Sequence, residues 1–347
     1  GPALPARAGS GAAALALTVI AGALVLRVLG ASPFQAYGLI AAGALGTPER
    51  ITFVLAAWAP LLLAAAGLLL TFAAGLWNIG IEGQIVFGAV FATGTLRALE
   101  HAAPAWLALG LAGLAAMLGG SLWALLAGAL RIYGGVSEIF GGLGLNFIAG
   151  SLTVYLVLGP WARPGIASTS GTVPFGPALW LPAIGAASLT VPAEIIVGFA
   201  AIAAVAAVLR GTYFGLDLAA IGRSLRAAHL RGVPTSREML RAFAICGALA
   251  GVAGFVLVAG AFSRHQLFPL ISGGNGYLAI LVVLLGGSSP AACVLLSAAF
   301  AAISMGSLQL PLAMQLDSSM GGVIQGLLVL FIILLRGLQT RMAARNA

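Results

Sequence analysis

The chain has 347 residues, of which 61% are apolar, 7% are charged and 49 are glycine, with a formal charge of +8 and a mean hydropathy of +1.11. A soluble domain carries about 25% charged residues, so a soluble surface of this size is excluded and a polytopic membrane chain is expected. Positive charge in so apolar a chain records topology, not a nucleic-acid partner.

A bilayer crossing needs roughly 20 predominantly apolar residues. Ten such segments are predicted, at 11–30, 51–74, 79–97, 105–130, 142–159, 193–210, 242–261, 275–288, 291–308 and 320–336. The eighth, from Asn275, and the ninth, after Pro290, are short. Pro33 and three glycines interrupt 31–47, which is expected to be an interfacial or re-entrant piece on the outer side. The segment after Arg7 is expected to remain as the first membrane helix, because no cleavage site stands out behind it. Many glycines suit helices that approach closely in lipid. Cys246 and Cys293 lie in apolar runs and are expected to be small core residues.

All 16 basic residues are arginine. With the N-terminus inside and ten crossings, Arg7, Arg131, Arg210, Arg223, Arg226, Arg231, Arg237, Arg241, Arg336, Arg341 and Arg345 fall on the cytoplasmic side. Arg50, Arg97, Arg163 and Arg264 fall outside, and Arg27 lies where it can snorkel. This positive-inside bias puts both termini in the cytoplasm.

Two loops stand out. Residues 160–190, rich in proline, glycine and serine, lie outside in this topology. They read either as a plain connector, or as a cap over a substrate entrance or a surface that docks a delivery protein. Residues 211–241 lie inside. Here Asp217 is expected to cap a short helix that puts Leu218, Ile221, Leu225 and Ala228 on one face, with Arg223 and Arg226 elsewhere. Gly232 and Pro234 end it, and Thr235 with Glu238 reads as a capping box for the next helix. The segment is either a lipid-surface anchor or a docking element for a cytoplasmic partner. Its length favours docking.

Polar residues inside the membrane are functional candidates by default. Glu82 lies in a glycine-broken stretch, with Asn78 one turn earlier, Gln84 beside it, and Trp77 and Phe87 as neighbouring rings. It is expected either to tie two helices together or to form a wall of the substrate path. Glu138 precedes Asn146 in a second cluster and is expected to hold a gate or to favour a helix start by its charge. Asn275 opens a second glycine-broken segment in the other half of the chain, as in transporters with internal repeats.

Without lysine, a standard phosphate-binding loop is excluded, so ATP hydrolysis must reside elsewhere. His101, His229 and His265 are scattered and make a poor metal site. No catalytic constellation is visible. Two classes remain: the membrane subunit of a transporter driven by a separate ATPase, and a secondary transporter coupled to an ion through Glu82.

Residues 75–89, GLWNIGIEGQIVFGA, and 137–150, SEIFGGLGLNFIAG, resemble signatures of bacterial ABC importer permeases of the branched-chain amino acid and simple sugar superfamily. Residues 222–233, 246–260 and 274–290 resemble its coupling segment, the helix after it and the eighth span. The branch indicated is the one associated with nucleosides, simple sugars and, in some members, riboflavin. The resemblance implies an all-α, ten-helix type II importer fold over a single transmembrane domain, 1–347, in a bacterial inner membrane. It implies a second permease, identical or paralogous, separate ATPase subunits that hold ATP and magnesium, and an extracytoplasmic binding protein, with no cofactor in this chain. The substrate expected is a small polar solute, a nucleoside ahead of a sugar. The implied pathway residues are Trp77, Asn78, Glu82, Gln84, Phe87, Asn146 and Asn275. Coupling falls to Asp217, Leu218, Ile221, Arg223, Leu225 and Arg226. Ser224 and Leu225 stand where the family usually has Asn-Pro.

Overall fold

The computed structural model describes residues 4–165, 169–186, 189–317 and 319–345. It is built almost wholly of helices. In chain order these are α1 Leu4–Val28, α2 Pro33–Leu45, α3 Pro48–Ala73, α4 Ile81–Leu99, α5 Ala105–Ile132, α6 Glu138–Leu158, α7 Ala193–Gly211, α8 Tyr213–Arg223, α9 Leu225–Leu230, α10 Thr235–Ala259, α11 Asn275–Gly286, α12 Pro290–Ser307, α13 Gln309–Met314 and α14 Met320–Arg345. A hairpin of β1 Ala183–Ala186 and β2 Leu189–Pro192 precedes α7.

Each of the ten apolar segments coincides with a helix. Among the described residues, α3, α5, α6, α7, α10 and the run Pro290–Met314 are long and apolar enough to cross a membrane on their own. α4 is not in that set, because Glu82, Gln84 and Arg97 dilute its 19 residues. α11 and Met320–Leu335 are shorter apolar helices. α2, in the stretch expected to be interfacial or re-entrant, turns 114° from Ala16–Val28.

The chain divides into two compact units, Gly1–Val54 with Ala298–Ala347, and Leu55–Ser297. In the first, α1 packs along α14 and α2 against α13. Its core is Leu26, Ala36, Ile40, Leu310, Met320 and Ile324. Polar groups there are tied locally: the Tyr37 hydroxyl donates to the Val19 carbonyl at 2.8 Å, and Gln325 Nε2 donates to the Phe300 carbonyl at 2.9 Å.

The second unit is centred on α4, α5 and α10. Glycine governs how closely they meet. A methyl group at Gly88 or Gly120 would strike the Gly251 backbone, and one at Gly254 would strike α4 at Ile85 and Ala89. Small residues let backbones come together where lipid supplies no hydrophobic drive between helices. Cys246 and Cys293 are buried free thiols, as expected of core residues.

A candidate translocation site where two broken segments meet

The two glycine-broken stretches singled out in the sequence come together in space. α3 ends at Ala73, and residues 74–80 make an irregular turn before α4, with Gly75 at φ +72°. Inside this turn Asn78 and Gln84 pair reciprocally: Asn78 Nδ2 donates to Gln84 Oε1 at 3.1 Å, and Gln84 Nε2 donates to Asn78 Oδ1 at 2.9 Å. Asn78 also donates to the Cys246 sulfur at 3.2 Å. Both side chains are buried with their main partners in each other. In this arrangement they face each other. They hold the turn.

Asn146 of α6 completes it. Its Oδ1 accepts from the Gly83 amide at 2.8 Å, and its Nδ2 donates to the Ile79 carbonyl at 3.0 Å. One side chain thus satisfies a loop carbonyl and an amide in the first turn of α4, groups a helix start leaves open. α6 comes this near because Gly142 sits against Gly80; a methyl group at either would crowd the other's backbone.

Glu82 lies in the first turn of α4, but its carboxylate serves another helix. Oε1 accepts from the Ser272 hydroxyl and from the Gly274 amide at 3.1 Å, and Oε2 accepts from the Gly276 amide at 2.8 Å. These amides are the start of α11, where Gly273 and Gly274 adopt φ of +57° and +81°. A carboxylate at a helix N-terminus meets both free N–H groups and the positive end of the dipole. Asn275 adds a local bond to the Ser272 carbonyl at 2.8 Å. Beside this junction the Tyr277 hydroxyl lies 3.4 Å from Asn146 Nδ2, and Tyr277 is 41% exposed.

Trp161 packs on Gly94 toward the far end of α4, about 18 Å along the helix axis from Glu82. α10 ends at Ala259 and α11 starts only at Asn275, so the intervening irregular chain descends to Glu82. Leu267 and Ile271 on this descent are buried, Gly273 is exposed, and Asn275 is half-buried. Non-helical backbone inside a membrane is tolerated only against protein or water.

The upper end of the descent is held by the 160–190 region. The Thr172 amide donates to the Leu267 carbonyl at 2.8 Å, the Phe175 amide to the His265 carbonyl at 2.7 Å and the Leu181 amide to the Ala259 carbonyl at 2.7 Å. Trp180 stacks on His265 at 3.8 Å. Burial pushes the His265 imidazole below its ordinary pKa, because the charged form is disfavoured. Glu194, which sequence reasoning passed over, is buried at the start of α7 and accepts from the Ala261 amide at 3.1 Å. Its signal was an acid just after Pro192 at the head of an apolar run.

Other expected residues fall differently. Trp77 is half-exposed and leans on Phe72, with 5.5 Å between ring centroids. Phe87 stacks on Trp123 at 4.0 Å, so its ring is already engaged within the chain. Glu138 opens α6 and pairs with Arg131 of α5 at 2.9 Å, joining the end of one helix to the start of the next. α6 carries three open rings: Phe140, Phe147 and Tyr155 are 74%, 71% and 65% exposed.

The 211–241 segment needs four corrections. The helix begins at Tyr213, not Asp217, and Thr212 caps it by accepting the Gly215 amide at 3.2 Å. It breaks at Ser224, whose hydroxyl accepts the Ala227 amide at 3.3 Å and so caps α9. Ser224 therefore supplies the capping oxygen at the position where the family usually has asparagine. Leu218 and Ile221 are buried in their own chain; the outward residues are Tyr213, Leu216, Arg223, Leu225, Arg226 and Leu230. No capping box forms at Thr235: Glu238 pairs instead with Arg241 at 2.8 Å. A further contact lay beyond sequence reasoning. Gly222 rests on the end of α3, where an added methyl would strike the Ala73 carbonyl, and Gly75 is its neighbour.

Among the described residues no group of histidine, cysteine, aspartate or glutamate is arranged to hold a metal. The family model described as the permease component of branched-chain amino acid transport systems matches residues 50–333. The chain is 32% identical to the glucose ABC transporter permease protein TsgB13 of Haloferax volcanii, over 91% of this chain and 86% of that protein. It is 26% identical to the guanosine ABC transporter permease protein NupP of Bacillus subtilis, over 92% and 91%. It is 24% identical to the nucleoside ABC transporter permease protein NupB of Lactococcus lactis, over 85% and 82%.

Proposed function

This chain belongs to the family of permease components of branched-chain amino acid transport systems, and from that premise we propose that it forms the pathway of an ATP-driven importer for a small polar solute, a nucleoside first. The observation that carries the reading is the Glu82 junction. A half-length helix starts inside the membrane, its N-terminus is held by a carboxylate from another helix, and the polar edge of Asn146 and Tyr277 lies beside it. Transporters place binding sites at such discontinuous helices.

Glu82 itself is spent on hydrogen bonds to α11, so it acts as the latch of the junction and not as a proton carrier. Solute contact falls to Tyr277, Asn146 and Asn275, with the α6 rings offering faces on which a base can stack. A simple sugar is the second reading, favoured by the 32% identity to a glucose permease.

Conformational drive enters through α8 and α9. Their outward residues Leu225, Leu230, Arg223 and Arg226 suit a groove on an ATPase subunit, which holds ATP and magnesium. Gly222 then passes movement to the turn at Gly75 that precedes Glu82. A second permease, identical or paralogous, and an extracytoplasmic binding protein that docks on the 160–190 region complete the assembly. Arg131 and Arg210 at the ends of α5 and α7, and Arg237 and Arg241 at the start of α10, support a cytoplasmic side for the termini.

The test is uptake into liposomes by the reconstituted complex with its binding protein, given ATP and no ion gradient, across guanosine, uridine, glucose, riboflavin and leucine. Competition by nucleosides at micromolar concentration is expected. Preference for leucine, or uptake driven by a pH or sodium gradient without ATP, would overturn the proposal.

A further inference from the structure

A groove of about 670 Å³ opens between the end of α5 and the start of α10, apart from the Glu82 junction. Its walls include Leu125 and Tyr133 from the α5 side, His229 of α9 and Gly232 from the turn after it, and Arg237, Leu240, Arg241 and Ala244 from α10. The lining changes character with depth. Arg237 is two residues into α10 and Arg241 six, whereas Ala244 is nine residues in, about 13 Å along the axis. Leu125 lies seven residues before Ile132, about 10 Å inward from the end of α5. α5 has 28 residues, a length of about 42 Å, which matches a bilayer with its headgroup layers. The arginines therefore stand at headgroup level, and the apolar floor reaches the hydrocarbon.

The mouth carries two arginines against one carboxylate, Glu238. Arg237 is exposed and has no hydrogen-bond or ion-pair partner among the described residues. Arg241 spends one nitrogen on Glu238, whose side chain is 5% exposed, and keeps other donors free. Tyr133, 74% exposed, is an aromatic residue at the level where such rings sit at the interface.

We propose that this groove is a binding site for one anionic phospholipid, with the phosphate between Arg237 and Arg241 and an acyl chain laid over Leu125, Leu240 and Ala244. A protein partner in the cytoplasm reaches the arginines but not a floor 10 Å or so inside the membrane; a soluble anion has no use for that floor. A lipid with a charged head and an apolar tail fits both. The site adjoins α9 through His229 but uses none of Arg223, Leu225, Arg226 and Leu230 assigned to the ATPase, so each has its own readout.

The purified full chain in neutral detergent is titrated with phosphatidylglycerol or phosphatidylcholine and bound lipid is counted by native mass spectrometry. Wild type is expected to retain one phosphatidylglycerol at least fivefold more tightly than phosphatidylcholine. Arg237→Gln should cut that preference about fivefold, the effect of one surface arginine on an anionic lipid, while Arg264→Gln leaves it unchanged. Ala244→Phe, which fills the floor, should weaken both lipids. If that variant fails to fold, the exposed Arg237→Gln still carries the test. Equal affinity for the two lipids, an unaltered preference in Arg237→Gln, displacement by glycerol phosphate at millimolar concentration, or displacement by the ATPase subunit would each overturn the proposal.

Discussion

The Glu82 junction and the α8–α9 segment are both polar interruptions in an apolar chain, yet they treat their polar groups in opposite ways. At the junction, Asn78, Gln84, Asn146 and Glu82 are paired with named partners inside the chain. At α8–α9 the two capping hydroxyls are satisfied locally, and the arginines and Leu225 and Leu230 are turned outward. The difference follows from the surroundings. An unpaired polar group within a bilayer costs several kcal/mol, so the junction must close on itself. A segment at the water surface has no such demand and can leave charge and apolar side chains for a partner.

Breaking the junction should have the largest effect. Glu82→Leu leaves the Ser272 hydroxyl and the Gly274 and Gly276 amides without their acceptor, a loss of about 4 kcal/mol at roughly 1–3 kcal/mol per orphaned group. The melting temperature in detergent should fall and ATP-driven uptake should cease. Glu82→Gln keeps one acceptor oxygen and should recover part of both, whereas an obligatory proton carrier would recover none.

The second experiment sharpens the contrast within α8–α9. Leu218→Asp buries a carboxylate at a position with no exposure and should destabilise the permease itself by about 3 kcal/mol, seen as loss of monodisperse protein. Leu225→Asp, at a position 49% exposed, should leave folding intact and reduce ATPase co-purification about tenfold at matched expression. Equal recovery of the ATPase with wild type and Leu225→Asp would remove α9 from the coupling surface.

Between the two regions lies the Gly222 contact. Gly222→Ala sets a methyl against the Ala73 carbonyl and should cost about 1–2 kcal/mol by overpacking. Its signature is hydrolysis that continues while uptake falls, because α8 no longer seats on the turn at Gly75.

The smallest effect is expected at the outer end of the descending segment. His265 has its folded pKa depressed by burial, so the folded state binds fewer protons than the unfolded one as pH falls. Its contribution is intact above the ordinary histidine pKa of 6.5 and is lost as pH drops below it toward the folded value. The protection factors of the Phe175 and Leu267 amides, exchange rates divided out for the intrinsic pH effect, should fall from pH 7 to pH 5, and His265→Gln should flatten that change.

Much of the helical plan was legible from periodicity and length alone. The ten apolar runs, the interruption at Pro33 and the need for Glu82 to find partners all follow from the cost of polar groups in lipid. The inward turn of Leu218 and Ile221 was not legible, because an apolar face on a surface helix looks the same whether it meets its own chain or another. The start of α8 was misplaced for a related reason: Thr212 and Asp217 are both competent caps, and only the chain's exit from α7 selects between them.

The residues by themselves determined that this chain lies in a membrane, which runs form apolar helices, and that both halves carry a glycine-broken segment. Only the tertiary structure decided that these segments meet. Glu82 finds Ser272 190 residues away, and Asn146 finds Ile79 67 residues away. Local sequence sets how many bonds a buried group needs, since burial removes water as a partner. Which group supplies them depends on how closely the helices approach, and here Gly80 and Gly142 let α4 and α6 come near enough for Asn146 to reach the turn.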